Sequence, residues 1–282
     1  PRGRDGRAVG LDGRATGRDG RASGSVGGRS MINLLHAEWI KLRTVTMNWV
    51  LGIIAGAFPL AVTLLTAYFN GDSSEFGTSD LASVLGGTTV VCALLCGVIA
   101  AASITSEFGF GTIRPTFAAT PQRLRVVVAK GAVVVLATTA LATVVQLVGW
   151  FAGSAIARGR GATIDLAEVP TAVPAMVGAV VLTALMSLAG YGFGLITRST
   201  PVAVSILIVW PLIAEGLVGG LLGLATDNDD IPRWMPFQAG IRLALVELVD
   251  DGPSRLMAGG YFGAVALLLV ALGAWAVNRR DA

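Results

Sequence analysis

Few side chains in this sequence could carry chemistry, and their spacing restricts what that chemistry could be. Glu215 is the one acid deep inside an apolar run, and Pro211 lies one helical turn before it. A charge in a bilayer interior is costly, so such a residue faces protein or water. A proton site, a cation or substrate contact, and a structural hydrogen bond to another helix all fit that position. Gln146 is a weaker polar residue of the same kind. His36 is the only histidine, which argues against a His-based metal cluster or a Ser–His–Asp triad. Cys92 and Cys96 sit one turn apart in an apolar run with no third ligand nearby, and read as small core residues. Lys41 precedes Leu42 and Lys130 precedes Gly131. A phosphate-binding P-loop needs Ser or Thr after its lysine, so this chain carries no ATPase motif of that type.

The elements that must position these residues follow from composition. The chain has 282 residues, 54% apolar and only 14% charged, and its mean hydropathy is +0.71. A soluble domain carries roughly 25% charged residues because its surface faces water. Six apolar runs are long enough to cross a bilayer, at about 49–69, 84–104, 126–153, 174–196, 202–224 and 257–277. The fold class expected is therefore all-α, a polytopic membrane protein with six transmembrane helices. Asp72, Glu75 and Asp80 follow the first run, whereas Arg114, Arg123 and Arg125 follow the second. Lys41 and Arg43 precede the first run, Arg198 follows the fourth, and Arg279 and Arg280 close the chain. The positive-inside rule then puts both termini in the cytoplasm. Arg158, Arg160, Arg233, Arg242 and Arg255 fall on the other side and run against the rule. Small-xxx-small pairs at Gly52/Gly56, Gly190/Gly194, Gly216/Gly220 and Gly259/Gly263 predict a packed bundle.

Residues 1–30 form a separate segment. RDGRAVG, LDGRATG and RDGRASG repeat from Arg4 to Gly24, rich in glycine and without apolar a and d positions. The segment reads as disordered, either a basic arm or an over-long translation start with Met31 as first residue. Residues 31–48 read as an interfacial helix, with Ile32, Leu35, Trp39 and Leu42 on one side and Glu38 and Lys41 on the other. Trp39 is expected at headgroup depth and Lys41 to snorkel, while Arg43 sits near the apolar stripe. Between the second and third runs, residues 105–125 are too polar to span. Gly109 and Gly111 permit a turn, Thr120 and Pro121 look like a helix start, and Glu107 and Arg114 are candidates for pairing or partner contact. In residues 225–256, Pro232, Trp234, Pro236 and Phe237 suggest a broken, membrane-dipping piece on the outer side.

The ITSEF…GTIR…P.R….AK pattern from Ile104 to Lys130, with AEWIKLRT from Ala37 to Thr44, resembles the permease subunits of ABC-2 type exporters, particularly short bacterial ones. The resemblance runs from Met31 to Ala282, and the N-terminal repeat departs from it. It implies an interfacial connecting helix with Glu38, Trp39, Lys41 and Arg43. It implies a coupling helix, with Glu107, Phe108, Gly109, Gly111, Thr112, Ile113 and Arg114 docking a separate ABC ATPase subunit. ATP and magnesium would bind that subunit, and no cofactor would bind this chain. It also implies a second permease protomer, a plasma-membrane location, and export of an apolar or amphipathic substrate; nucleic acid is not an expected partner. The alternative is a secondary transporter using Glu215 as an intramembrane carboxylate, with Gln146 as a second polar site. Against it, the two halves show no clear repeat of broken spans.

Overall fold

The computed structural model describes residues 23–109, 123–228, 230–248 and 252–280. Helix α1 (Ser23–Thr44) is followed after a break at Val45 by α2 (Thr46–Asn70), α3 (Thr78–Gly109), α4 (Arg123–Arg160) and α5 (Ala172–Thr197). Then come α6 (Thr200–Val209), a π turn (Trp210–Ala214) and α7 (Glu215–Thr226), which together make one span. Two 3₁₀ turns (Ile231–Trp234 and Arg242–Ala244) flank the short α8 (Pro236–Ile241), and α9 (Arg255–Arg280) completes the described chain. Six helices are long and apolar enough to cross a membrane, and each contains one of the six expected runs. Each is longer than its run because the helix continues through polar flanking residues once its apolar centre is formed.

The position of α1 corrects two expectations. It begins at Ser23, inside the segment expected to be irregular, because extending an existing helix adds one hydrogen bond per residue fixed and needs no new nucleus. It ends at Thr44, with Val45 as the break before α2. The last carbonyls of α1 are closed from the next residues of the chain. Thr44 Oγ1 donates to Lys41 O at 3.1 Å, Asn48 Nδ2 to Leu42 O at 3.1 Å and Trp49 Nε1 to Arg43 O at 2.7 Å. The α1–α2 elbow is thus a fixed corner.

Leu42, Ile104, Val127, Leu195 and Val277 belong to one core cluster. That places the start of α4 and the ends of α1, α3, α5 and α9 at one face, called here the basal face. Ala67, Leu81, Ala157 and Ala172 meet at the opposite face. Helix α3 is the central strut: 67% of its apolar window is buried, against 28% for α2, 28% for the α6–α7 span and 22% for α9. It crosses α5 almost backbone to backbone, since a Cβ on Gly190 would overlap the carbonyl of Gly97. Of the four glycine pairs, only Gly190/Gly194 makes such a crossing; Gly52, Gly216 and Gly220 face open space.

The five arginines of the opposite face are tied into the fold. Arg158 donates to Ile164 O at 2.7 Å, and Arg160 pairs with Asp72 at 3.2 Å while lying 4.9 Å over the Tyr68 ring. Arg233 pairs with Asp230 at 3.0 Å, Arg242 donates to Pro253 O, and Arg255 donates to Leu243 O and Leu245 O. The α3–α5 crossing predicts that Gly190→Ala lowers the melting point in detergent by the equivalent of about 1–3 kcal/mol. Gly87→Ala, whose Cβ would meet nothing within 4 Å, should melt like the parent chain. Equal melting of the two variants would count against the crossing.

Candidate functional site

Both lysines of the chain meet two of its glutamates at the basal face. Lys41 Nζ lies 2.8 Å from Glu38 Oε1 and 3.0 Å from Glu107 Oε1. Lys130 Nζ lies 2.9 Å from the same Glu107 oxygen and pairs closely with Glu38 Oε2. Each lysine therefore touches both carboxylates, and the four charges close a ring that joins α1, the end of α3 and the start of α4. Glu38 is 3% exposed, Lys130 6% and Glu107 9%, whereas the Lys41 side chain is 44% exposed. Beneath the ring, Tyr191 of α5 is buried and donates from its hydroxyl to Val127 O at 2.7 Å. Its ring packs on Gly131, where a Cβ would come within 2.9 Å of it. A glycine after Lys130 is what admits Tyr191 to the wall.

The ring turns the Glu38 side of α1 toward the bundle. Glu38 does not face water; it faces the bundle, and Trp39 is 43% exposed. The reason is electrostatic. Lys130 is buried on α4, and a buried ammonium is stable only when paired, so the charged side of α1 is the side that packs. Helical spacing alone groups Glu38 and Lys41 on the polar side and carries no sign that Glu38 packs. Lys130 lies inside the packed bundle. Burial acts to raise the Glu38 carboxyl, but Lys130 and Lys41 outweigh it and hold the group below its ordinary value of 4.5. Burial acts to lower the Lys41 ammonium, but Glu38 and Glu107 hold it above its ordinary 10.5.

The remaining docking residues are placed as follows. Phe108 lies 4.8 Å under the guanidinium of Arg198, which occupies the left-handed cap of α5 at φ 53°. Gly109 is the last residue of α3. Gly111, Thr112, Ile113 and Arg114 lie outside the described residues, as do the expected coupling helix and the Thr120–Pro121 helix start. Thr105 Oγ1 meets Thr200 Oγ1 at 2.6 Å and ties α3 to the start of α6. A cavity of about 530 Å³ opens beside the charge ring. His36 is exposed, and Arg43 lies 6.0 Å from the Trp39 ring.

Glu215 sits at the other end of the molecule, fully buried. Its two carboxylate oxygens accept the backbone N–H groups of Phe237 and Gln238, each at 2.9 Å. These are the first free donors of α8, because Pro236 at its first position has none. Glu215 thus caps α8 from a different helix. Pro211 lacks an N–H and opens the π turn, and its carbonyl accepts Gln238 Nε2 at 3.0 Å. Phe237 then packs on Phe262 at 5.0 Å between ring centroids. The segment with the broken proline pattern folds back onto the bundle: a Cβ on Gly178 would overlap Leu243 O, and one on Gly86 would overlap Ala244 O. Gln146 Nε2 donates to Thr89 Oγ1 at 2.9 Å and links α4 to α3. Cys92 and Cys96 are buried as free thiols, and no cluster of three metal-ligating side chains occurs among the described residues. The charge ring, the cap role of Glu215 and the inward face of α1 all depend on contacts distant in sequence. The one sequence signal for the ring was a lysine, Lys130, near the start of an apolar run.

A family model described as ABC-2 family transporter protein matches residues 34–213, more than half of the chain and the whole of the charge ring. No curated protein matches the chain.

Two predictions follow from the ring. Glu38→Gln leaves Lys130 short of a partner in a buried place and should cost about 3–5 kcal/mol, read as a fall in detergent melting point. The exchange Glu38→Lys with Lys130→Glu should recover part of that loss. Stability should also be flat between about pH 4.5 and 10.5 as far as these groups contribute. A depressed carboxyl stabilises above its unfolded value and loses that contribution as pH falls through the folded one. A raised ammonium stabilises below its unfolded value and loses it as pH rises through the folded one. Melting scans across pH should show the acid-side fall flattened in Glu38→Gln.

Proposed function

Because the chain belongs to the ABC-2 transporter family, we propose that it is the membrane-spanning permease subunit of an ATP-driven exporter, powered by a separate ATPase chain. The observation that carries this reading is the charge ring. It fastens α1, the end of α3 and the start of α4 into one body at the basal face. The segment between α3 and α4 leaves from and returns to that body. A push on this segment from a docked partner would be delivered to three helices at once. ATP and magnesium belong to the partner, and the basal face lies in the cytoplasm, as the Arg and Lys distribution favours. A second copy, or a related permease chain, completes the pathway, and an apolar or amphipathic substrate fits spans built mostly of Ala, Val, Leu and Gly.

Glu215 has a structural use that a secondary transporter would have to break in each cycle. Both of its oxygens hold backbone N–H groups of the cap segment. Such a carboxylate is poorly placed to bind and release a coupling ion. The ATP-driven reading is therefore preferred to one based on an intramembrane carboxylate.

The test is a gentle detergent purification of the full chain from cells that also express the neighbouring genes. A stoichiometric ATP-binding chain should co-purify, and charge reversal at Arg114 should weaken its retention. Glu215→Gln, which keeps one acceptor for the α8 donors, should retain ATP-dependent transport in vesicles with reduced stability. A preparation with no ATPase partner, together with ion-driven transport abolished in Glu215→Gln, would overturn the proposal.

A further inference from the structure

The cavity beside the charge ring reaches the α1–α2 elbow. Lys41, Asn48, Ser103, Ser106 and Thr200 line it, together with the buried carboxylates and Lys130. Leu42 and Asn48 also line a second void of about 360 Å³, so the two abut at the α1–α2 elbow. The second void is an apolar groove that climbs α2 past Trp49, Gly52, Ile53 and Gly56, with Ala137 and Leu141 of α4 as its other wall. The chamber at the basal face and the apolar groove thus meet at the wall formed by Leu42 and Asn48.

The dimensions and charges suit one class of occupant. From Asn48 to Gly56 the helix rises about 12 Å at about 1.5 Å per residue. One leaflet has about 15 Å of hydrocarbon, half of about 30 Å. The groove therefore runs most of the depth of one leaflet and no further. Trp39 and Trp49 stand at its mouth, where amphipathic rings mark headgroup level. The ring of two lysines and two glutamates is neutral as a unit. Lys41 lines the chamber and is engaged by two carboxylates there. Arg43, two residues on, lines the groove and has no carboxylate partner among the described residues. The surplus charge at the mouth is thus positive. A second protein helix laid in the groove would cover Arg43 without supplying an anion, whereas a phospholipid brings its phosphate to it.

We propose that the α1–α2 elbow is a binding site for one anionic glycerophospholipid, its phosphate held by Arg43 and one acyl chain lying in the groove along Gly52 and Gly56. The bound lipid fills the gap between α1 and the bundle and holds the elbow at its angle. This site belongs to the permease chain itself and is independent of how transport is powered.

Native mass spectrometry of the full chain in mild detergent tests the site. The parent chain should retain one phospholipid through purification. After delipidation, phosphatidylglycerol should raise the melting point more than phosphatidylcholine, and inorganic phosphate should have no effect. Gly52→Leu should abolish retention, because a Cβ there meets nothing within 4 Å and its side chain grows into the groove. Gly260→Leu, also open at its Cβ, should keep the lipid and controls for added bulk. Arg43→Gln should reduce the preference for the anionic lipid about fivefold, the effect of about 1 kcal/mol per basic residue near an anionic surface. Equal lipid retention by the parent and Gly52→Leu, or equal stabilisation by inorganic phosphate, would overturn the proposal. A Gly52→Cys variant that crosslinks two copies through this groove would overturn it as well.

Discussion

Two ammonium groups and two carboxylates, all but Lys41 buried, fix the basal half of this molecule. None of the buried members is stable there alone. An isolated charge in a low-dielectric interior costs several kcal/mol, and mutual attraction offsets that cost only when geometry and hydrogen bonding are good. The ring meets this condition by closure: Lys41 and Lys130 each touch both Glu38 and Glu107. The helices that carry them are fixed in consequence. Helix α1 must present its charged side inward, α3 must extend past its apolar run to reach Glu107, and α4 must begin before Lys130. Gly131 must lack a side chain so that Tyr191 can close the wall.

The opposite half uses another solution for a buried carboxylate. Glu215 faces backbone N–H groups and no cation, so the fully buried side chain orders a neighbouring segment. The π turn aligns Glu215 with that segment, and Gly86 and Gly178 let the segment's backbone approach the bundle. Arg255 holds the segment's far end through the carbonyls of Leu243 and Leu245. The two halves share α3 and α5, whose crossing at Gly97 and Gly190 brings their backbones together midway.

Much of this architecture was legible before any coordinate. Six spans follow from the length and apolarity of six runs, since a bilayer tolerates little else. The pairing of Gly190 with a close crossing was legible only as one of four equal possibilities, because a glycine spacing does not say which helix faces it. Glu38 and Lys41 were read as the wet side of α1 because helical periodicity ranks faces by hydrophobicity. Periodicity is blind to Lys130, which follows Lys41 by a whole span pair and a loop. Glu215 was visible as unusual, but its partners are backbone groups of a segment with no periodic pattern, and backbone donors leave no trace in residue identity.

Closure of the charge ring also determines where the structure can bend. Displacing α1 alone would separate Glu38 from Lys130 and leave both in a buried place, so the three helices tied by the ring move most cheaply as one body. The elbow at Val45 does not relieve this, because Asn48 and Trp49 close the last carbonyls of α1 from the α2 side. Between the basal body and the Glu215 cap lies the π turn at Trp210–Ala214, where the regular hydrogen-bond ladder is already interrupted. Gln238 spans that interruption by binding the Pro211 carbonyl. A force applied at the basal face would therefore reach the cap through α3 and α5 as rigid struts. It would be absorbed at the α6–α7 junction, where the regular hydrogen-bond ladder is already interrupted.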